Sequence, residues 1–295
     1  MSSLAPVARA QLDSLQNSLG SNGASWNFGN TNGVRRPGLL VPEGEADRSV
    51  SGFGLDDASM GGLGQALDTS ATLWINNEQF SDDDFTSGNG VVTAGPVALQ
   101  GVSITVQHSA VVSGPILRSL VSIANPTGSP VTLSSLEWIF SEVGGDENAT
   151  RATSSGDTNF TTEDRWMVSS DSDGTFAPGV PAVLYVLYGP GSPANTTASV
   201  ATRVYQVGVA SNNQRAMNAK FGPLTIPAGA TRRLLFFTGL YLSNAEAAAG
   251  AAQFGQLSTC PFVGIPANQL AEIVNWSLAG NTARCSLYLT SVRHP

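Results

Sequence analysis

Hydrolytic triads need an imidazole or an amine beside the nucleophile. This chain is poor in both: its histidines are His108 and His294, and its one lysine is Lys220. His294 is the penultimate residue, and His108 follows the alternating run Val102 to Gln107, which reads as a strand. No Gly-x-Ser-x-Gly turn is present, and no Ser-x-x-Lys can be built on Lys220. Paired carboxylates serve glycoside chemistry. The candidates are Glu137, Glu142, Asp146 and Glu147, with Asp56, Asp57, Glu163 and Asp164. Such pairs work in clefts lined by aromatic rings, and aromatic residues make up only 7% of the chain, so no catalytic set is assigned. Asp171-Ser172-Asp173-Gly174 has the alternating acidic oxygens and turn glycine of a hard-cation loop, which makes Asp171 and Asp173 candidate calcium ligands. Asp82-Asp83-Asp84 and Asp146-Glu147-Asn148 carry similar charge, but none of the three completes an EF-hand. Gly61-Gly62-Leu63-Gly64 lacks the Lys-Ser/Thr of a phosphate-binding loop.

Cys260 and Cys285 are the only cysteines and lie 25 positions apart. They read either as one disulfide of an oxidising compartment or as two buried thiols, and the compact segment between them favours the disulfide. Four sequons start at Asn148, Asn159, Asn195 and Asn275, and the last falls on an expected packed helix. Of the five tryptophans, Trp26, Trp74, Trp138, Trp166 and Trp276, most are expected in the core. Two exposed ones beside carboxylates in one groove would mark a glycan site.

The elements that position these residues are mostly strands. Short runs rich in Val, Ile, Thr and aromatics recur at 71–75, 102–106, 117–123, 131–140, 183–187, 204–209 and 234–237, separated by Gly, Pro, Asn and Ser. No helical run interleaves them, so parallel βαβ units are not expected. The spacing predicts an all-β fold: one large antiparallel β-sandwich over 21–242, with short helices at the N- and C-terminal ends. Leu4, Leu12, Leu15 and Leu19, with Ala8, form a helical stripe over 1–20. At the other end, 243–295 is expected to hold a helix capped by Ser243 or Asn244, a second helix from Pro266 to Leu278, and a last strand from Cys285 to Val292, all packed on the same domain. Charged residues are only 12% of the chain, with 14 basic against 22 acidic, a net charge of −8. That balance excludes a nucleic-acid binder. No apolar run reaches the roughly 18 residues of a membrane span, and Met1 to Leu19 do not read as a signal peptide.

Several stretches, taken in order, carry a likeness. Gly52-Phe53-Gly54-Leu55-Asp56-Asp57-Ala58 precedes Ile123-Ala124-Asn125-Pro126-Thr127 and Ser155-Gly156-Asp157. Asp164-Arg165-Trp166-Met167-Val168, Pro227-Ala228-Gly229 before Arg232 to Phe237, and the helix Gln269 to Trp276 follow. Over about 50–278 this order resembles poorly characterised exported bacterial proteins with a large β-sandwich in the style of mutarotase-like supersandwiches. The resemblance implies export and a surface or extracellular setting.

With no catalytic set, no cofactor beyond the calcium candidates, and polar residues that are mostly uncharged, the expected function is contact. The chain reads as a non-catalytic extracellular or cell-surface structural protein that self-assembles or adheres. Leu4, Leu12, Leu15 and Leu19 are the expected contact stripe, and the partner is another copy or a surface glycan. The alternative is a glycan-binding or glycan-processing β-sandwich.

Overall fold

A computed structural model of the protein describes residues 15–18, 23–35, 49–64, 66–67, 70–82, 84–88, 90–111, 114–141, 148–171, 180–190, 192, 197–202, 216–255 and 260–277. The first strands are β1 (Leu15–Ser18), β2 (Ala24–Arg35), β3 (Ser49–Met60), β4 (Thr72–Ile75), β5 (Glu78–Gln79) and β6 (Thr86–Gly88). Next come β7 (Val91–Leu99), β8 (Val102–Val111), β9 (Ile116–Ala124), β10 (Val131–Leu133), β11 (Leu136–Ser141) and β12 (Asn148–Thr153). The last are β13 (Trp166–Asp171), β14 (Ala182–Val186), β15 (Thr197–Thr202), β16 (Ala216–Phe221), β17 (Leu224–Ile226) and β18 (Thr231–Tyr241). Helices α1 (Asn244–Gly255) and α2 (Ala267–Glu272) follow, with a 3-10 turn at Cys260–Phe262 between them.

The protein is an all-β sandwich. One sheet has eight strands in the order β12-β13-β14-β18-β9-β8-β7-β6, and the other has five, β15-β16-β11-β4-β5. Between them lies the main core. Strand β8 shows why it forms: Val102, Ile104, Val106 and His108 are buried and alternate with less buried Ser103, Thr105 and Gln107. The three-stranded β1-β2-β3 adds Trp26, Phe28, Phe53 and Leu55 to this core. Strand β18 is apolar on both faces. Leu234, Phe236 and Leu240 face the main core, while Leu235, Phe237 and Tyr241 join a second core with Ala247, Ala251 and Phe254 of α1. The helical end therefore roofs the eight-stranded sheet, which explains the unbroken apolar run from Leu234 to Phe237.

Three expectations are corrected. Residues 15–18 are not helical: β1 pairs with β2, Leu15 opposite Phe28. The edge of β2 gives their backbone groups partners, and that pairing overrides a leucine periodicity read locally. Leu4, Leu12 and Leu19 lie outside the described residues. The run 131–140 is two strands, since β10 pairs with β17 and β11 with β4 and β16. Between them the Asn76 side-chain oxygen accepts from the Ser134 and Ser135 backbone N–H groups, at 2.8 and 3.0 Å. The helix expected from Pro266 to Leu278 ends at Glu272, and Ile273 turns extended. Val274 N–H then donates to the Arg233 carbonyl, so the chain runs beside β18. The last expected strand, 285–292, is outside the described residues, as is 204–209.

Candidate functional site

On the five-stranded sheet, alternate residues face away from the main core. Trp138 and Phe140 of β11 point inward, so Glu137 and Ile139 point outward, and Trp74 packs with Ile139 in a cluster of its own. The register aligns one line of outward residues across four strands, with β15 paired beyond it. Gln79 opposes Trp74, Trp74 opposes Glu137, Glu137 opposes Lys220, and Lys220 opposes Ser199. A second line holds Thr72, Ile139 and Asn218.

Glu137 is the centre of this face. Asn218 Nδ2 donates to its Oε2 at 2.9 Å, and Lys220 Nζ stands 3.5 Å from its Oε1. Only 2% of the Glu137 side chain is exposed, whereas Lys220 is 32% exposed, so the cluster reaches solvent at its lysine end. Burying a carboxylate costs several kcal/mol unless charge and hydrogen bonds compensate it; here an ammonium and an amide do so. Thr72 Oγ1 and Asn218 Oδ1 are buried and have no hydrogen-bond partner among the described residues. The face thus assembles an indole, a carboxylate, an amide and an ammonium. It can accept from and donate to hydroxyl groups. Among the described residues no second carboxylate stands on these two lines, so the two-carboxylate hydrolysis geometry is not formed there.

Of this set, only Glu137 stood among the sequence candidates as an acid, and Trp74 was one of five tryptophans. Asn218 and Lys220 were missed, although Met217-Asn218-Ala219-Lys220-Phe221 alternates apolar and polar as a half-covered strand does.

The other candidates lie apart. His108 is not at a strand end but wholly buried within β8. Its Nδ1 is 2.9 Å from Ser119 Oγ, and the rings of Phe28, Phe53 and Trp138 surround it. Burial lowers its pKa to about 3, so it is neutral, and Nε2 has no partner. Asp164 is also buried. Burial opposes its charge, but hydrogen bonds from Thr161 and Ser155 outweigh that and hold its pKa below the ordinary value. Asp171 ends β13 opposite Asn148, while Asp173 is outside the described residues. Among the described residues, no three His, Cys, Asp or Glu side chains come together as metal ligands. Glu142, Asp146, Glu147 and Cys285 also lie outside them, and Cys260 opens the 3-10 turn. Trp26, Trp74, Trp138 and Trp276 are buried and Trp166 is half-buried, so the groove of two exposed tryptophans is absent from the described residues.

The motifs that carry the family likeness are ties rather than chemistry. Asn125 Nδ2 donates to the carbonyls of Ser129 and Ile226, at 2.8 and 3.0 Å. Asn275 Nδ2 donates to the Leu187 and Leu235 carbonyls, both at 2.8 Å, and its Oδ1 accepts from Leu235 N–H at 2.9 Å. The sequon asparagine Asn275 is thus fully buried.

No family model and no curated protein matches the chain. Solved structures do. A galactose mutarotase-like protein from Lactobacillus casei aligns at 9% identity and a TM-score of 0.38, covering 77% of this chain and 100% of that one. A polysaccharide lyase aligns at 9% identity and 0.41, covering 66% and 32%. A protein named as a kojibiose phosphorylase, from the human microbiome, aligns at 8% and 0.41, covering 89% and 34%. The chain spans about a third of the length of the last two. The all-β sandwich itself stands on the strand order of the two sheets. The expected non-catalytic, self-assembling or adhesive function is corrected: the solved structures that align are named as a polysaccharide lyase, a kojibiose phosphorylase and a galactose mutarotase-like protein.

Proposed function

We propose that the chain is a carbohydrate-binding or carbohydrate-processing β-sandwich, with its site on the outward face of the five-stranded sheet. The carrying observation is Glu137, a buried carboxylate bonded to Asn218 and Lys220 and opposite Trp74 in the sheet. Sugars present hydroxyl groups that both donate and accept, over apolar C–H faces. Glu137 accepts, Lys220 donates, Asn218 does both, and the buried Trp74 indole packs beside them as an apolar wall. Access runs from the half-exposed lysine inward. A single carboxylate suits binding, or proton transfer at one position of a sugar, better than hydrolysis by an acid and a nucleophile.

Calorimetric titration with a panel of neutral and acidic mono- and oligosaccharides tests the reading. Wild type is expected to bind at least one of them. Glu137→Gln and Lys220→Met should each weaken that binding about tenfold or more, consistent with loss of a charge-assisted hydrogen bond. A well-folded wild type that binds none of the panel overturns the proposal.

A further inference from the structure

On the opposite side of the eight-stranded sheet, α1 and the end of β18 line an open trough of about 440 Å³, with Glu246 and Ala249 exposed along it. That lies within the roughly 300–1,000 Å³ of small-molecule sites. Helix α1 supplies one wall with Glu246, Ala249, Gly250 and Gln253, a single stripe spaced three and four apart and ~10 Å long. Met60, Gly114, Pro115 and Tyr241 complete the lining. The polar side chains Glu246 and Gln253 stand at the two ends of the stripe.

Two details show how the trough is built. Gly250 interrupts the alanine run of α1, where glycine is the poorest non-proline helix former. A Cβ there would collide with the Tyr241 hydroxyl, so the glycine is what lets the phenol lie against the helix. Second, no group among the described residues hydrogen-bonds that hydroxyl, although it lines the trough. Burial raises its pKa to about 12, so it keeps its proton at neutral pH. Glu246 accepts from Leu242 N–H through Oε2, at 3.2 Å, which fixes the carboxylate and leaves Oε1 for another donor. Gln253 is held by its Nε2, which donates to the Gly250 carbonyl at 2.8 Å, so its amide oxygen is the acceptor on offer.

We infer that this trough is a second ligand site, separate from the Glu137 face, and that it takes a neutral saccharide of one or two rings. No lining residue is basic, and Glu246 is negative, which excludes phosphorylated and acidic sugars. The C–H face of a sugar ring covers Met60, Pro115 and Ala249. Its hydroxyls donate to Glu246 Oε1 and to the Gln253 oxygen, and accept from Tyr241. The inference does not rest on the Glu137 site, because no residue is shared.

The test is titration of the isotopically labelled full chain with glucose, galactose, maltose and cellobiose, followed by backbone amide shifts. At least one sugar should move the Gly114, Gly250 and Gln253 amides saturably. Tyr241→Phe and Glu246→Gln, both near-isosteric, should each weaken that response about fivefold to tenfold. Glu137→Gln should leave it unchanged, which separates this site from the one above. The inference is overturned if none of the four sugars moves these amides. It is also overturned if the two trough variants respond as wild type does, or if tetramethylammonium alone saturates the site, since that marks a cation pocket.

Discussion

His108 sets how the protein responds to acid. Its folded pKa, about 3, lies below the ordinary 6.5 because burial disfavours the charged form. Between those values the unfolded chain binds a proton that the folded chain refuses. The histidine's contribution is therefore complete above pH 6.5, and stability falls by up to about 1.4 kcal/mol per pH unit below it. Urea midpoints measured at pH 7 and pH 4.5 should differ clearly in wild type and much less in His108→Phe; equal shifts in both would refute this. Asn275 acts at the same scale. Its amide serves the Leu187 and Leu235 backbone at once, in a site closed to water. Asn275→Ala should lower stability by about 3 kcal/mol or more, read as a shift in urea midpoint at unchanged slope. Neither role is visible in a residue's type: a histidine after an alternating run reads as a hydrogen-bonded or exposed strand end, and an Asn-Trp-Ser triplet suggests a sequon.

At the level of elements, the sequence was legible where local pattern and tertiary partner agree. Strands β8, β9 and β18 follow their apolar runs, and α1 follows its alanines. Ser243 is its cap, with Oγ accepting from Glu246 N–H at 3.1 Å. Ser243→Ala should cost about 1 kcal/mol, measured by thermal unfolding. Legibility fails where a distant partner decides. The apolar spacing of Leu270, Ile273 and Val274 is genuine helix pattern, yet α2 stops so that Asn275 and Trp276 can reach β18; Trp276 Nε1 donates to the Leu235 carbonyl at 2.7 Å. Gly189 accommodates that indole, since a Cβ there would strike it. The candidate site shows the same limit. Glu137 could be named as an acid, but its partners lie about 80 residues on, in a strand whose alternation spans five residues and gave too short a signal.

For the whole molecule, the pairing of Cys260 with Cys285 remains our proposal, and with it an oxidising, extracellular setting. Closing a loop of that size stabilises by about 3 kcal/mol in the chain-entropy model. Thiol titration of the unfolded, unreduced protein should find no reactive sulfur, and two equivalents would rule the bridge out. The sheet order also fixes when the molecule can become whole. Strands β6 to β9 are neighbours in sequence and in space, whereas β9 next pairs with β18, more than 100 residues later, and β4 and β16 flank β11 from far upstream and downstream. At ribosomal speeds of about 5–20 residues per second, β9 leaves the tunnel roughly 5–20 s before its partner exists. Through that interval a long apolar strand presents a bare hydrogen-bonding edge. The topology therefore makes production of this protein a race between the arrival of its own last strand and capture of that edge by a neighbouring nascent chain, and slower growth temperatures or a holding chaperone should raise the yield of folded material.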